Sequence, residues 1–279
     1  MNVAIIGIGL IGGSLALALR EKKLAAKIIG VDANELHQQK AIELSLVDEI
    51  MVLDKAIENS DLIVLAVPVG AAEEILSTVL LQIKKQVIID VGSTKNSIAG
   101  IAAKHENGNR FVATHPMWGT EFSGPSAAVT GAFADKAVVI CNKQNSDADA
   151  LELVEHIYRQ LGMHIIYMDS KAHDVHAAYI SHISHITSFA LANTVLEKEK
   201  EDDAIFELAS GGFESTVRLA KSNPDMWVPI FMQNKENVLD VLNEHISQLR
   251  KFKSCLEKEN FEYLAELIQN ANTIKRILK

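Results

Sequence analysis

Short apolar runs rich in β-branched residues recur at positions 1–6, 27–32, 61–68, 86–91, 110–114, 136–141 and 164–168. Runs of this length and composition predict strands, with 61–68, 86–91 and 110–114 read as buried on both faces. The stretches 14–20, 35–46, 71–81 and 147–161 between them have helical composition, and 35–46 places Leu36, Ala41, Ile42 and Leu44 around one side. Alternating strands and helices predict an α/β fold with a doubly wound parallel sheet. The pattern changes near Asp169. Beyond it only long helical patterns remain, at 172–198, 203–222, 224–253 and 258–278, with Pro224 and Pro229 fitting a helix start or kink. The expected division is an α/β domain over 1–169 followed by an all-helical domain over 170–279.

The first strand runs directly into Gly7-Ile8-Gly9-Leu10-Ile11-Gly12, and a helix follows. A G-x-G-x-x-G in that context is the dinucleotide-binding fingerprint of a Rossmann-type fold. Gly7 allows the tight turn, Gly9 lets backbone approach a pyrophosphate, and Gly12 lets helix and strand pack closely. Leu10 and Ile11 open the helix, whose unpaired N–H groups would meet the phosphates. The second strand ends in Asp32, where a ribose 2′-hydroxyl would sit. Its charge would repel a 2′-phosphate, so the expected cofactor is NAD.

Composition narrows the field. A formal charge of −9 without a basic stripe, and 5% aromatic residues, argue against nucleic acid as a partner. Cys141 and Cys255 lie far apart with no metal-type spacing, as expected for a reduced, cytoplasmic chain. Residues 3–19 are apolar enough to imitate a signal-peptide core, but they lack a basic leading region and are interrupted by glycines. No other stretch reaches the length of a membrane span without charges, so no membrane partner is expected.

In open parallel sheets, ligands bind outside the carboxyl ends of the strands. That rule groups Val67-Pro68, Ser93-Thr94-Lys95 and His115-Pro116, all of which follow predicted strands and can line one crevice near the nicotinamide. Within the group His115 is the acid/base candidate, because histidine titrates near neutral pH.

The segment Ala113-Thr114-His115-Pro116-Met117-Trp118-Gly119-Thr120-Glu121-Phe122-Ser123-Gly124 closely resembles the H-P-[MI]-x-G-x-E-x-S-G signature of prephenate dehydrogenases. Asp90-Val91-Gly92-Ser93-Thr94-Lys95 resembles that family's D-V-x-S-x-K. His173-Asp174 followed by Ser181-His182-Ile183-Ser184-His185 is similar to its H-D and S-H-x-P-H. Gly211-Gly212-Phe213-Glu214-Ser215-Thr216-Val217-Arg218 resembles its G-[GT]-F-x-D-x-T-R. The matches span nearly the whole chain in the right order.

The resemblance implies NAD-dependent oxidative decarboxylation of prephenate to 4-hydroxyphenylpyruvate in tyrosine biosynthesis. His115 would take the ring-hydroxyl proton, and Ser93 would hydrogen-bond that hydroxyl and hold the His115 tautomer. Prephenate carries two carboxylates, and Arg218 would grip one bidentately. Thr120, Glu121, Ser181 and His185 match family positions lining the same pocket. The resemblance further implies a homodimer through the helical domain, and feedback by tyrosine acting competitively at the active site rather than through an appended domain.

Two positions depart from the family pattern. Ser184 stands where proline is usual, and Glu214-Ser215 replaces the usual x-Asp, which bears on any ion pair gating Arg218 and on the choice between prephenate and arogenate. An arogenate dehydrogenase is therefore the nearest rival reading. A β-hydroxyacid dehydrogenase would need a catalytic lysine, with Lys221 the main candidate in a motif that does not match. A non-catalytic NAD-sensing module would keep Gly7, Gly9, Gly12 and Asp32 without reason to keep Ser93, His115 and Arg218. The spacings His173/His176 and His182/His185 raise a helical metal site, but they lack zinc-enzyme spacing and no metal is expected. His182 reads as a packed histidine. Trp118 and Trp227 read as packing residues, with Trp227 a candidate to border the pocket. Val238, Leu239, Leu242, Ile246 and Leu249 form a stripe that serves either the core or a dimer interface.

Overall fold

The computed structural model describes residues 1–199 and 211–276. In chain order the first elements are β1 (Asn2–Ile6), α1 (Leu10–Glu21), β2 (Lys27–Val31), α2 (Glu35–Glu43), β3 (Glu49–Ile50), α3 (Leu53–Glu58), β4 (Leu62–Leu65), α4 (Val69–Gln82), β5 (Val87–Asp90) and α5 (Asn96–Ala102). They continue with β6 (Phe111–Pro116), β7 (Ala137–Cys141), α6 (Ala148–Gln160) and β8 (His164–Met168). The strands form one sheet in the order β3-β2-β1-β4-β5-β6-β7-β8. The order reverses between β1 and β4, which opens a crevice at their carboxyl ends.

Side chains alternate across each strand and feed two cores. Val3, Ile5, Leu62 and Val64 pack on one face, while Ala4, Ile6, Ile63 and Leu65 pack on the other. Burial on both faces is why these strands read as continuous apolar runs.

The sheet is parallel except at one junction. β6 and β7 pair antiparallel, with His115 opposite Val139 and Ala113 opposite Cys141. The segment joining them carries only a short 3-10 turn, Pro125–Ala127, and a parallel return needs a crossover, usually a helix. β7 and β8, joined by α6, are parallel again. The two-residue β3 and the short helices α3 and α5 were not foreseen from the pattern. On α2 only Ala41 is buried; Leu36, Ile42 and Leu44 are exposed, so the expected apolar side of this helix is not a core face.

After β8 come α7 (Ser170–Ala177), a π-helical turn (Ala178–His182) and α8 (Ile183–Glu199), where the sequence suggested one unbroken helix. Next are α9 (Gly211–Val217), a 3-10 turn (Arg218–Lys221) and α10 (Pro224–Gln233). Asn223 caps α10 by accepting from the Asp225 N–H at 2.8 Å, and Pro224 takes the first helical position, where no N–H is needed. The expected helix 224–253 breaks at Asn234, giving α10 and then α11 (Lys235–Glu257), followed by α12 (Phe261–Ala271). The charged run 197–203, the beginning of the expected helix 203–222 and the end of the expected helix 258–278 extend outside the described residues. No described helix is long and apolar enough to cross a membrane.

The chain forms two compact units, Met1–Asn234 and Lys235–Lys279. In the first, α10 packs on α4 through Val69, Trp227 and Ile230. Gln233 ties the two helices, donating to Val69 O at 2.9 Å and to Glu73 Oε1 at 2.8 Å. In the second, Asn260 caps α12 by accepting from the Tyr263 N–H at 3.1 Å.

Candidate active site

The glycine turn is built as a phosphate cradle requires. Gly7 has φ +93°, and a Cβ there would lie 2.5 Å from Ala66 O. A Cβ on Gly12 would lie 2.1 Å from Gly7 O, so only glycine lets α1 cross β1 this closely. Gly9, the residue before α1, faces open space, and a Cβ there would meet nothing within 4 Å. Leu10 and Ile11 follow in the first turn of α1. Asp32 Oδ2 accepts from the Ile8 N–H at 2.8 Å and Oδ1 from the Asn34 N–H at 2.9 Å, fixing its carboxylate beside that turn. An open backbone cradle at a helix N-terminus with an acid at the end of β2 suits a dinucleotide. Val67 and Pro68 lie in the connection from β4 to α4, with Pro68 immediately before the helix.

At the end of β5, Lys95 and Asp90 form a buried ion pair, with the lysine 0% and the aspartate 1% exposed. Burial pushes the Asp90 carboxyl up, against the pull of Lys95. Asp90 also accepts from the Gly92 and Thr114 N–H groups at 3.0 and 3.2 Å. These bonds fold the turn that carries Ser93, which is half-buried. Thr94 donates to Gln233 Oε1 at 2.5 Å, tying the same turn to α10.

His115 lies at the end of β6, and its Nδ1 is 2.8 Å from Nε2 of His173 on α7. His173 Nδ1 is in turn 2.8 Å from Asp174 Oδ1. The Asp174 carboxylate accepts the Lys95 N–H at 2.7 Å and the Asn96 N–H at 2.9 Å. The expectation that Ser93 holds the His115 tautomer is therefore corrected: the Nδ1 partner is His173. His173 and Asp174 were visible as an H-D pair after the last strand, but sequence reasoning gave them no role beyond the pairing of His173 with His176. His173 is 2% exposed whereas His176 is exposed, so those two rings do not converge. His115 titrates well below the ordinary histidine range, first through burial and then through His173, Lys95 and His182.

The helical side of the site is contributed by α8, α10 and the turn at Arg218. His185 Nδ1 donates to Ser181 O at 3.0 Å, leaving Nε2 as an acceptor. Its ring stacks on Trp227 at 3.5 Å between centroids. Burial lowers its pKa, opposed by the Ser181 bond and assisted by Arg218. Trp227 is 6% exposed, and its indole N–H has no hydrogen-bond partner among the described residues. His182 is packed against Trp227 and Phe231, lies 3.2 Å from the Asn234 amide, and is pushed down to about 4 by burial. Trp118 packs edge-on against Phe133 instead.

Arg218 pairs with Glu121 at 2.8 Å, an acid from the segment after β6. The Glu121 carboxyl is held below its ordinary range by its own backbone N–H and by Arg218, against desolvation. Glu214 and Ser215 are exposed, and the Ser215 hydroxyl donates to Gly212 O at 2.9 Å. Thr120 accepts the Phe122 N–H at 3.3 Å and shapes the turn before Glu121.

Comparison with known proteins agrees along the chain. Residues 15–167 match the family model for the prephenate dehydrogenase nucleotide-binding domain, and residues 169–270 match that for its dimerization domain. A cyclohexadienyl dehydrogenase of Zymomonas mobilis is 30% identical over 100% of this chain and 96% of its own length. A prephenate dehydrogenase of Bacillus subtilis is 29% identical over 97% of this chain and 74% of its own. The crystal structure of prephenate dehydrogenase from A. aeolicus with hydroxyphenyl propionate and NAD+ superposes with a TM-score of 0.91 at 30% identity, covering 100% of this chain and 98% of that one. The chain belongs to the prephenate dehydrogenase family.

Proposed function

We propose that this chain catalyses the NAD-dependent oxidative decarboxylation of prephenate to 4-hydroxyphenylpyruvate, the aromatising step toward tyrosine. The observation that carries this reading is a neutral histidine with one uncommitted ring nitrogen, at the sheet edge that also bears the glycine turn. The domain division that goes with it is a nucleotide-binding part over 1–169 and a helical part over 170–279. NAD+ would lie along Gly7, Gly9, Leu10, Ile11 and Gly12, with Asp32 on the adenosine ribose and Val67-Pro68 toward the nicotinamide. When bound, it supplies the acceptor for the hydride on the ring carbon bearing the hydroxyl.

His115 takes the proton of that hydroxyl, so the oxygen's electrons form the carbonyl as the hydride departs. Ser93 hydrogen-bonds the same oxygen. Cleavage of the ring carboxylate as CO2 then returns its electron pair to the ring, and His115 gives the proton back to the phenolate oxygen. Arg218 pairs with a substrate carboxylate, exchanging Glu121 for it. His185, stacked on Trp227, together with Ser181 and Thr120, sets the walls of the pocket. Tyrosine, sharing the product's ring, would compete for that pocket. Two free, buried cysteines fit a reducing, cytoplasmic setting.

The test is NADH formation from NAD+ with prephenate or L-arogenate at matched concentrations. Turnover with prephenate supports the reading. Turnover with arogenate alone moves the substrate to the amino analogue, and silence with both despite NAD binding leaves a cofactor-sensing module.

A further inference from the structure

The geometry points to His173 and Asp174 as positioning residues that set the tautomer of His115 and stabilise its charged form during turnover. The inference rests on the assignment of His115 as the base. It begins at Asp174, which is 4% exposed and accepts two backbone N–H groups at the start of α5. Each of its two oxygens accepts one of these N–H groups, so the carboxylate presents acceptors on both sides. The 2.8 Å contact to His173 Nδ1 therefore requires a proton on that nitrogen. In a singly protonated His173, Nε2 is then the acceptor, and the 2.8 Å contact across to His115 places the proton on His115 Nδ1. His115 Nε2 is left with its lone pair, the form a general base needs.

The same chain acts after proton transfer. Taking the substrate proton makes His115, a half-buried side chain, an imidazolium in surroundings that already disfavour it. The groups around it are Lys95 with its partner Asp90 from the β5 turn, His173 and Asp174 from α7, and His182 from the π-helical turn. Lys95, His182 and a charged His173 oppose a positive His115, whereas a neutral His173 accepts its Nδ1–H and leads to Asp174. Among the described residues, only the His173–Asp174 arm leads from its Nδ1–H to a carboxylate that no lysine or arginine pairs with. Asp174 is also held through its backbone, since its carbonyl accepts from the Asn234 amide at 2.7 Å. This anchors the arm on both the α5 and the α10 sides. The assembly parallels the way an aspartate fixes a catalytic histidine in hydrolases, with a second imidazole inserted between the two.

The decisive variant is Asp174→Asn in the full-length protein. An amide can keep accepting a backbone N–H through its oxygen while presenting an N–H₂ to His173. That inverts the chain: His173 becomes protonated at Nε2, donates to His115 Nδ1, and forces the His115 proton onto Nε2. Side-chain ¹⁵N NMR of histidine-labelled protein, with His115 assigned by difference from His115→Asn, should show this exchange of tautomers. At neutral pH kcat should fall roughly 100-fold or more while NAD affinity stays unchanged. His173→Gln is the second variant, retaining an acceptor for His115 Nδ1–H but cutting the link to Asp174. It should keep the tautomer and move the acid limb of the kcat/KM–pH profile to lower pH, a change that a packing defect would not produce. An unchanged tautomer in Asp174→Asn, or a limb that stays in place or moves to higher pH in His173→Gln, would overturn the inference. Substantial turnover in His115→Asn would instead refute the base assignment beneath it, and the two failures are read from different variants.

Discussion

Single residues in this chain divide into those whose role follows from backbone constraint and those whose role depends on a distant partner. Gly7 and Gly12 belong to the first kind: their need for glycine is written in a local motif and reappears as close approaches to Ala66 and to Gly7 itself. Arg218 belongs to the second. Its motif marks it as a carboxylate ligand, but its resting partner, Glu121, is distant in sequence and emerges only when the segment after β6 meets the turn after α9. The pair is on the rim, with the arginine side chain 51% exposed, so it adds little to stability. Its value lies in exchange for substrate. Arg218→Ala should therefore cost roughly 2–4 kcal/mol of transition-state binding, mostly through KM for prephenate, with little change in thermal stability. Steady-state kinetics beside a melting curve would separate these effects, and an unchanged KM would sink the carboxylate role. Arg218→Lys should recover only part of the loss, because an ammonium cannot reproduce the planar fork.

At the scale of elements, legibility followed the strength of the local pattern. β1, β2, β4, β5 and β6 were readable because burial on both faces demands unbroken apolar runs. The direction of β7 was not, since an apolar run carries no sign; the missing crossover between β6 and β7 decides it. The π-helical turn at Ala178–His182 and the break at Asn234 were hidden for a related reason, as both preserve helical composition while changing the hydrogen-bond register. The turn from β5 into α5 was legible only as a motif. Its acid and lysine prove to be an internal ion pair under Ser93 rather than substrate ligands. Removing one partner leaves a buried, uncompensated charge, so Lys95→Met should destabilise the fold by about 3–5 kcal/mol. Combining it with Asp90→Leu should restore part of that loss, because the remaining charge is then gone. Denaturant melts of the single and double variants test this, and a single variant as stable as the parent would contradict it.

For the molecule as a whole, the open question is what covers the apolar surface of the helices that close the chain. On α11 Val238, Val241 and Cys255 are buried in the chain, so the stripe read from the sequence is core at Val238. The rest is not. Of the stripe, Leu239, Ile246 and Leu249 are 43%, 36% and 56% exposed in the single chain; outside it, Leu256 and Phe261 are each 60% exposed and Ile268 on α12 is 49% exposed. Large apolar side chains gathered on so small a unit mark an interaction surface. The match of residues 169–270 to a dimerization domain favours a second copy of the chain as the partner. Light scattering at micromolar concentration should then give twice the chain mass of 30.5 kDa. Replacing Leu249 and Leu256 together by glutamate puts charge into that contact without touching the glycine turn or the His115 cluster. The expected result is a shift toward monomer and a melting temperature that no longer rises with protein concentration, as association-linked stability requires. A monomeric mass for the unaltered chain would refute the dimer and leave these leucines without a partner.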